Sequence, residues 1–238
     1  MIVNAIFYKL KTGCQWRQLP ISALFGCRSY SWKSVYYHFR KWAKQTLWLA
    51  LWQKLLSKHK RLLDMSSIQL DGSHSLAKRG GQAVAYQGRK KSKTTNLLII
   101  TDAQGIPVSS SSAIAGNHND AFELDKHFDQ MLYNMKQATL ATAGLFLNAD
   151  AGFDTYGFRT ACFKNDIIAN VAENTRNNKK ETEKSLFDEQ LYQNRFVVER
   201  TNAWIDGFKN LLIRFDTCVK SWEAWNHLAF CTILLRKL

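Results

Sequence analysis

Leu97-Leu98-Ile99-Ile100-Thr101-Asp102-Ala103-Gln104-Gly105-Ile106 reads as a buried strand, a tight turn and the start of a returning strand. Four consecutive apolar residues, two of them β-branched, suit a strand covered on both faces. Asp and Gly around two short residues supply the turn. The pair predicted from this stretch spans residues 93–102 and 106–114. Upstream, residues 67–71 read as a short strand ending on an acid, Asp71, just before Gly72. Downstream, residues 119–135 carry Phe122, Leu124, Phe128, Met131 and Leu132 at helical spacing. Residues 145–147 form another short buried strand running into Asn148-Ala149-Asp150. A helix over 155–163, a strand over 166–171, a polar loop over 172–184 and two long helices over 191–215 and 222–235 complete the reading.

The resulting order is β-β-β-α-β-α-β-α. Three antiparallel strands followed by alternating helices and strands predict an α/β, ribonuclease-H-like mixed sheet flanked by helices. The first 62 residues differ in character. Ile2, Ile6, Phe7 and Leu10 recur at helical spacing, Pro20 and Gly26 mark a loop, and Ser31 is placed to cap a helix with Val35, Phe39 and Trp42 on one side. Lys33, Arg40, Lys41 and Lys44 accompany that helix. This predicts a small helical region over 1–62, of helix-turn-helix type, ahead of an α/β domain over 63–238. The alternative is a helical cap whose cations merely face water.

Composition narrows the partners. Lys plus Arg number 33 against 19 Asp plus Glu, a net charge of +14. A surplus that large in a folded chain points to a polyanion, most often nucleic acid; a basic protein without such a partner is the alternative. The five cysteines, Cys14, Cys27, Cys162, Cys218 and Cys231, are odd in number and include no C-x-x-C pair. They predict neither a disulfide framework nor a zinc site, and fit a reducing cytoplasm. No signal peptide and no apolar run of about 18 residues is present, so no membrane partner is expected.

Three acids stand where chemistry could happen. Asp71 and Asp150 each close a predicted strand and each precede a glycine nearby, and strand ends of an α/β sheet line the crevice where ligands bind. Two close carboxylates repel unless one takes a proton or a cation joins them. Capping a turn is the alternative for either. Glu199 lies in a polar stripe, Tyr192, Arg195, Glu199, Asn202, Asp206 and Lys209, spaced 3, 4, 3, 4 and 3. Val197, Trp204, Phe208, Leu211 and Phe215 form the predicted apolar face of the same helix. The alternative is a solvated helix with an Arg195–Glu199 pair worth about 0.3–0.5 kcal/mol. Asp102, Asp154 and Asp206 are the nearby acids most easily confused with the three.

Ordered segments carry a family resemblance from residue 4 to beyond residue 204. They are residues 4–20 with Gly13, Trp16, Arg17, Leu19 and Pro20; then Ser34 to Trp42; Leu70-Asp71-Gly72-Ser73; Gly88-Arg89; Thr94-Thr95; Asp102 to Pro107; Asp150-Ala151-Gly152-Phe153-Asp154; and Phe187-Asp188 with Tyr192, Arg195 and Glu199 at Y-x2-R-x3-E spacing. Together they resemble transposases of the insertion-sequence-five family, a DDE-type branch of the ribonuclease-H-like superfamily. The resemblance implies Asp71, Asp150 and Glu199 as a triad holding two Mg²⁺ ions, with Mn²⁺ as a substitute, and Arg195 and Tyr192 as supporting residues. It implies double-stranded DNA as partner, both terminal repeats and target site, with a homodimer or larger assembly on DNA, in a prokaryotic cytoplasm at the nucleoid. Lys33, Arg40, Lys41, Lys44, Arg89, Lys90, Lys91, Lys93 and Lys209 are the expected DNA contacts. A lysine that related transposases carry seven positions after the glutamate falls on Asp206, with Lys209 as the nearest replacement. The likeness begins inside the family's helical region, so a leading helix is expected to be missing. Two other activities fit the same acids: a nuclease of this fold that does not join strands, and a decayed copy that only binds DNA.

Overall fold

A computed structural model describes residues 1–26, 30–174 and 187–237. The chain opens with α1 (Ile2–Thr12), α2 (Ile21–Phe25), α3 (Trp32–Lys44) and α4 (Leu47–His59). Ser31 caps α3 as expected, its hydroxyl accepting from Ser34 N–H at 3.4 Å. Ser31→Ala is expected to cost about 1 kcal/mol, read as a Tm lower by about 2–4 °C; an unchanged Tm would mean that Ser31 makes no working cap. The buried stripe of α3 is Val35, Phe39 and Ala43, with Trp42 only half-buried.

Then come β1 (Ile68–Ala77), β2 (Ala85–Gln87), β3 (Ser92–Thr101), β4 (Pro107–Ser110), β5 (Ile114–Ala115), α5 (Leu124–Gln137), β6 (Phe146–Ala149), α6 (Tyr156–Lys164) and β7 (Ile168–Val171). After residues 175–186 follow α7 (Glu189–Gln193), α8 (Val197–Asp206), α9 (Lys209–Leu212), β8 (Ile213–Arg214) and α10 (Val219–Lys237). The sheet runs β2-β3-β1-β6-β7, with β4 and β5 also on β3 and β8 on β1. β1 pairs antiparallel with β3 and parallel with β6, and β6 pairs parallel with β7. Three antiparallel strands continued by parallel ones, with helices around them, is the ribonuclease-H-like layout. No helix among the described residues is long and apolar enough to cross a membrane.

Four differences from the sequence reading have physical causes. β1 does not stop at Asp71 but runs on to Ala77, held by unbroken pairing from Gln69↔Thr101 to Leu76↔Thr94. The returning strand over 106–114 is two pieces, β4 and β5. The helix over 191–215 is broken: Asn194–Phe196 tightens to a 3-10 turn, Gly207 follows α8, and the chain after α9 adds the short strand β8 to β1. The buried side of α8 is Val198, Thr201 and Ile205, about one residue around from the predicted face, while Phe215 is exposed. Most of the polar loop predicted over 172–184 lies outside the described residues.

The first four helices do not bury their apolar sides among themselves alone. Phe39 stacks on Trp225 of α10 with ring centroids 4.0 Å apart, Trp16 lies 5.8 Å from the same ring, and Trp52 sits 4.9 Å from Phe230. These residues and the sheet's Leu97–Ile100 belong to one continuous core.

Candidate metal and DNA site

β1 and β6 lie side by side in parallel with Leu70 opposite Ala149, so the next residues, Asp71 and Asp150, emerge from neighbouring strands at the same level. The pairing puts them together as the sequence reading required. Asp71 is half-buried, and its carboxyl is pushed up to about 6, chiefly by burial, with the charges of Asp120 and Asp150 adding to the rise. Asp150 is exposed, and one of its oxygens accepts from Gly152 N–H at 2.8 Å. The turn-capping alternative therefore holds for that oxygen, while the other accepts from no protein donor among the described residues.

Glu199 is exposed in the first turn of α8. One turn on, Asn202 donates from Nδ2 to Asp71 Oδ2 at 3.4 Å, so the polar stripe of this helix faces Asp71. Asn202 Oδ1 is buried with no donor. Arg195 does not pair with Glu199: among the described residues the ion pairs are His74–Asp120, Lys126–Glu123 and Arg159–Asp154. Instead its guanidinium lies 5.0 Å from the Tyr192 ring and 4.4 Å from the Phe196 ring, and its Nε is buried without an acceptor.

The neighbouring acids divide by function. Asp102 is wholly buried and organises the β3–β4 turn, accepting from the N–H groups of Asp64, Gln104 and Ile106. Asp154 is buried against Arg159 at 2.7 Å, and Arg159 also donates to Val171 O, tying α6 to β7. Asp206 is exposed at the end of α8. None of these joins Asp71.

Asp120 was not anticipated. It accepts from Asn96 Nδ2 at 2.6 Å and lies 3.8 Å from His74. A Cβ on Gly72 would overlap its carboxylate oxygen. Gly72 is therefore not a turn residue: it is a gap in β1 that admits a carboxylate beside Asp71. A glycine inside a strand hints at such a close approach, but no local pattern names a partner 48 positions away.

The basic residues fall into two exposed groups. Lys33, Arg40, Lys41 and Lys44 share one side of α3. Arg89, Lys90, Lys91 and Lys93 ride the β2–β3 hairpin, close enough for Arg89 and Lys90 to help hold His74 below its ordinary pKa, where burial is the main cause. Lys209 is exposed on α9, with its backbone against Gly13.

The donor set suits a hard divalent cation. The side chains acting on Asp71 are oxygen-bearing, two of them the carboxylates of Asp120 and Asp150 and one the Asn202 amide; burial is the main cause of its raised proton affinity, and the two carboxylates add to it in a way that a bound cation would relieve. Among the described residues, no three His, Cys, Asp or Glu side chains are gathered closely enough to hold an ion by themselves.

Comparison with known proteins agrees with this chemistry. Residues 63–236 match the family described as "DDE superfamily endonuclease", and residues 1–52 match "Putative transposase of IS4/5 family". A comparison with curated proteins gives no match. Similar solved structures include the Mos1 transposase paired-end complex with left transposon end, at 12% identity and TM-score 0.34, and the Mos1 strand transfer complex, at 13% and 0.33. Each alignment covers 100% of this chain and 78% of the other. DDE superfamily enzymes use divalent metal ions for their chemistry. Since the first of these matches takes in well over half of the residues, the chain belongs to the DDE superfamily endonucleases, and its opening helices carry the likeness to transposases of the IS4/5 family.

Proposed function

We propose that Asp71, Asp150 and Glu199 are the acids that hold divalent metal for DNA strand cleavage and strand transfer at the ends of an insertion element. The observation that carries this reading is the meeting of three segments: Asp71 and Asp150 on paired strands, and Asn202 of the Glu199 helix bonded to Asp71. Mg²⁺, two ions, fits carboxylate oxygens best, with Mn²⁺ as a substitute. When bound, such ions activate the attacking oxygen and steady the leaving one.

The protein's own residues do the rest. Asn202 orients the Asp71 carboxylate. Arg195, lying against the Tyr192 and Phe196 rings, offers its guanidinium to a phosphate. Tyr192 supplies one of those rings. Water makes the first cut, and the freed 3′-hydroxyl then attacks target DNA at the same site.

Residues 1–62 serve as the region that recognises terminal repeats, through Lys33, Arg40, Lys41 and Lys44 on α3. Arg89, Lys90, Lys91, Lys93 and Lys209 track the backbone of DNA lying over residues 63–238. Two ends must be joined as a pair and each chain carries one acid site, so the DNA-bound form is at least a homodimer. The work is done in a prokaryotic cytoplasm, at the nucleoid.

One gel tests the reading: labelled element-end DNA, with and without Mg²⁺, and with excess target. Cleavage and joined products with metal are expected. Hydrolysis without joining would favour a nuclease, and binding without either a decayed copy. The charge of +14 adds a second expectation. Affinity for DNA should fall at least about tenfold between roughly 50 and 200 mM salt, because phosphate contacts release condensed counterions. A flat salt response in a filter-binding titration would count against the basic surfaces named here.

A further inference from the structure

Three buried amides cross the sheet just behind the acids. Gln69 on β1, Asn148 on β6 and Asn170 on β7 are at most 1% exposed and stand opposite one another in the strand pairing. Asn148 donates to Gln69 Oε1 at 2.8 Å, Asn170 donates to Asn148 Oδ1 at 2.8 Å, and Gln69 donates to Ser67 Oγ at 3.0 Å. At its far end Asn170 clasps the main chain of Asp188, donating to the carbonyl at 2.9 Å and accepting from the N–H at 2.8 Å. Asp188 in turn caps α7 by accepting from Leu191 N–H at 2.9 Å.

Burying amides where aliphatic residues would pack costs free energy unless every polar group is satisfied. Here every side-chain amide oxygen and nitrogen has a partner. Strand periodicity explains the location. Gln69 lies two residues before Asp71, and Asn148 two before Asp150, so each amide shares a face with the acid that follows it. Asp188 begins the run of α7, the 3-10 turn and α8 that carries Tyr192, Arg195 and Glu199. The ladder thus touches both strands that hold an acid and the start of the segment that holds the third.

We infer that the Gln69–Asn148–Asn170 ladder is a positioning device that sets the Glu199 segment in register with the Asp71 and Asp150 strand ends. Asn148 and Asn170 touch no substrate; they act through Asp188 and the strands. This rests on the metal-site reading above and adds residues to it.

The test uses the full chain, without DNA, below its unfolding temperature. Mn²⁺ binding is followed by electron paramagnetic resonance, and amide hydrogen exchange is followed over residues 188–206. Asn170→Leu, which keeps size but drops the clasp, is expected to weaken Mn²⁺ binding about tenfold and speed exchange in that segment. Asn148→Leu breaks the link between strands but leaves the clasp, and about a threefold loss is expected; it carries the test if Asn170→Leu does not fold. Ser31→Ala loses stability in α3, far from the ladder in sequence, and should leave Mn²⁺ affinity unchanged, which separates positioning from general loosening. Parent-like Mn²⁺ affinity in the folded asparagine variants overturns the inference. Asp71→Asn and Glu199→Gln serve as controls: if they too bind Mn²⁺ like the parent, the metal-site reading itself has failed, not the ladder alone.

Discussion

Glu199→Gln is expected to abolish strand cleavage and joining while DNA retention survives. The change keeps shape and almost all of the volume of a side chain exposed on α8 that makes no ion pair with Arg195, so the fold loses little. What disappears is one negative charge at the proposed metal site. Loss of one preorganised electrostatic partner typically costs at least about 100-fold in rate, and loss of a carboxylate that holds metal should cost no less. DNA retention depends on Lys and Arg, so it should stay level or tighten slightly as repulsion from phosphate falls. Cleavage and joining are read on labelled element-end DNA with Mg²⁺, and retention by gel shift without metal. Parent-like cutting would reduce Glu199 to a solvated helix residue and end the three-acid proposal.

A second large effect concerns Asp71 without metal. Its carboxyl lies at about 6 in the folded chain against 3.8 for an unperturbed aspartate. Below pH 3.8 the group is protonated in both states and costs nothing. Between 3.8 and 6 the unfolded chain ionises first, so stability falls as pH rises. Above 6 the full penalty is present, about 3 kcal/mol for a difference of this size. Asp71→Asn removes the penalty. In EDTA, the variant and the parent should melt together near pH 3.5, and the variant should melt several degrees higher at pH 7.5. Added Mn²⁺ should raise the parent and not the variant, because only the parent gains from binding. Identical melting curves across this range would mean that Asp71 is not held in a crowded, partly dry site.

The sequence made some of this plain and hid the rest for definable reasons. Leu97 to Ile100 and the turn after them were readable because a wholly apolar strand and its turn residues are local signals, and Asp102 then proved to be the turn's own fastener. Ser31 was readable for the same reason. The position of Asp150 beside Asp71 followed from two strand ends and the family pattern, yet only the Leu70↔Ala149 pairing puts them level. The buried side of α8 differs from the predicted one because Val197 and Trp204 are only half-buried there, while Thr201, polar by type, is buried and donates to Gly105 O at 2.5 Å. Asp120 and the amide ladder were out of reach: each depends on residues tens of positions apart, and a buried asparagine looks like a loop asparagine until its strand neighbours are known.

The aromatic seam between the opening helices and α10 has a consequence for synthesis. His59, at the end of α4, and Val219, at the start of α10, are about 160 residues apart in the chain. A ribosome adding roughly 5–20 residues per second needs about 8–30 s to cover that distance. Through that interval Phe39 lacks Trp225 and Trp52 lacks Phe230, the α10 rings they pack against in the finished protein. The helices that carry Lys33, Arg40 and Lys41 therefore reach their final packing only after the whole α/β sheet has been made, so a nascent chain cut short before Trp225 should present a sticky, basic fragment to chaperones and proteases rather than a working grip on DNA.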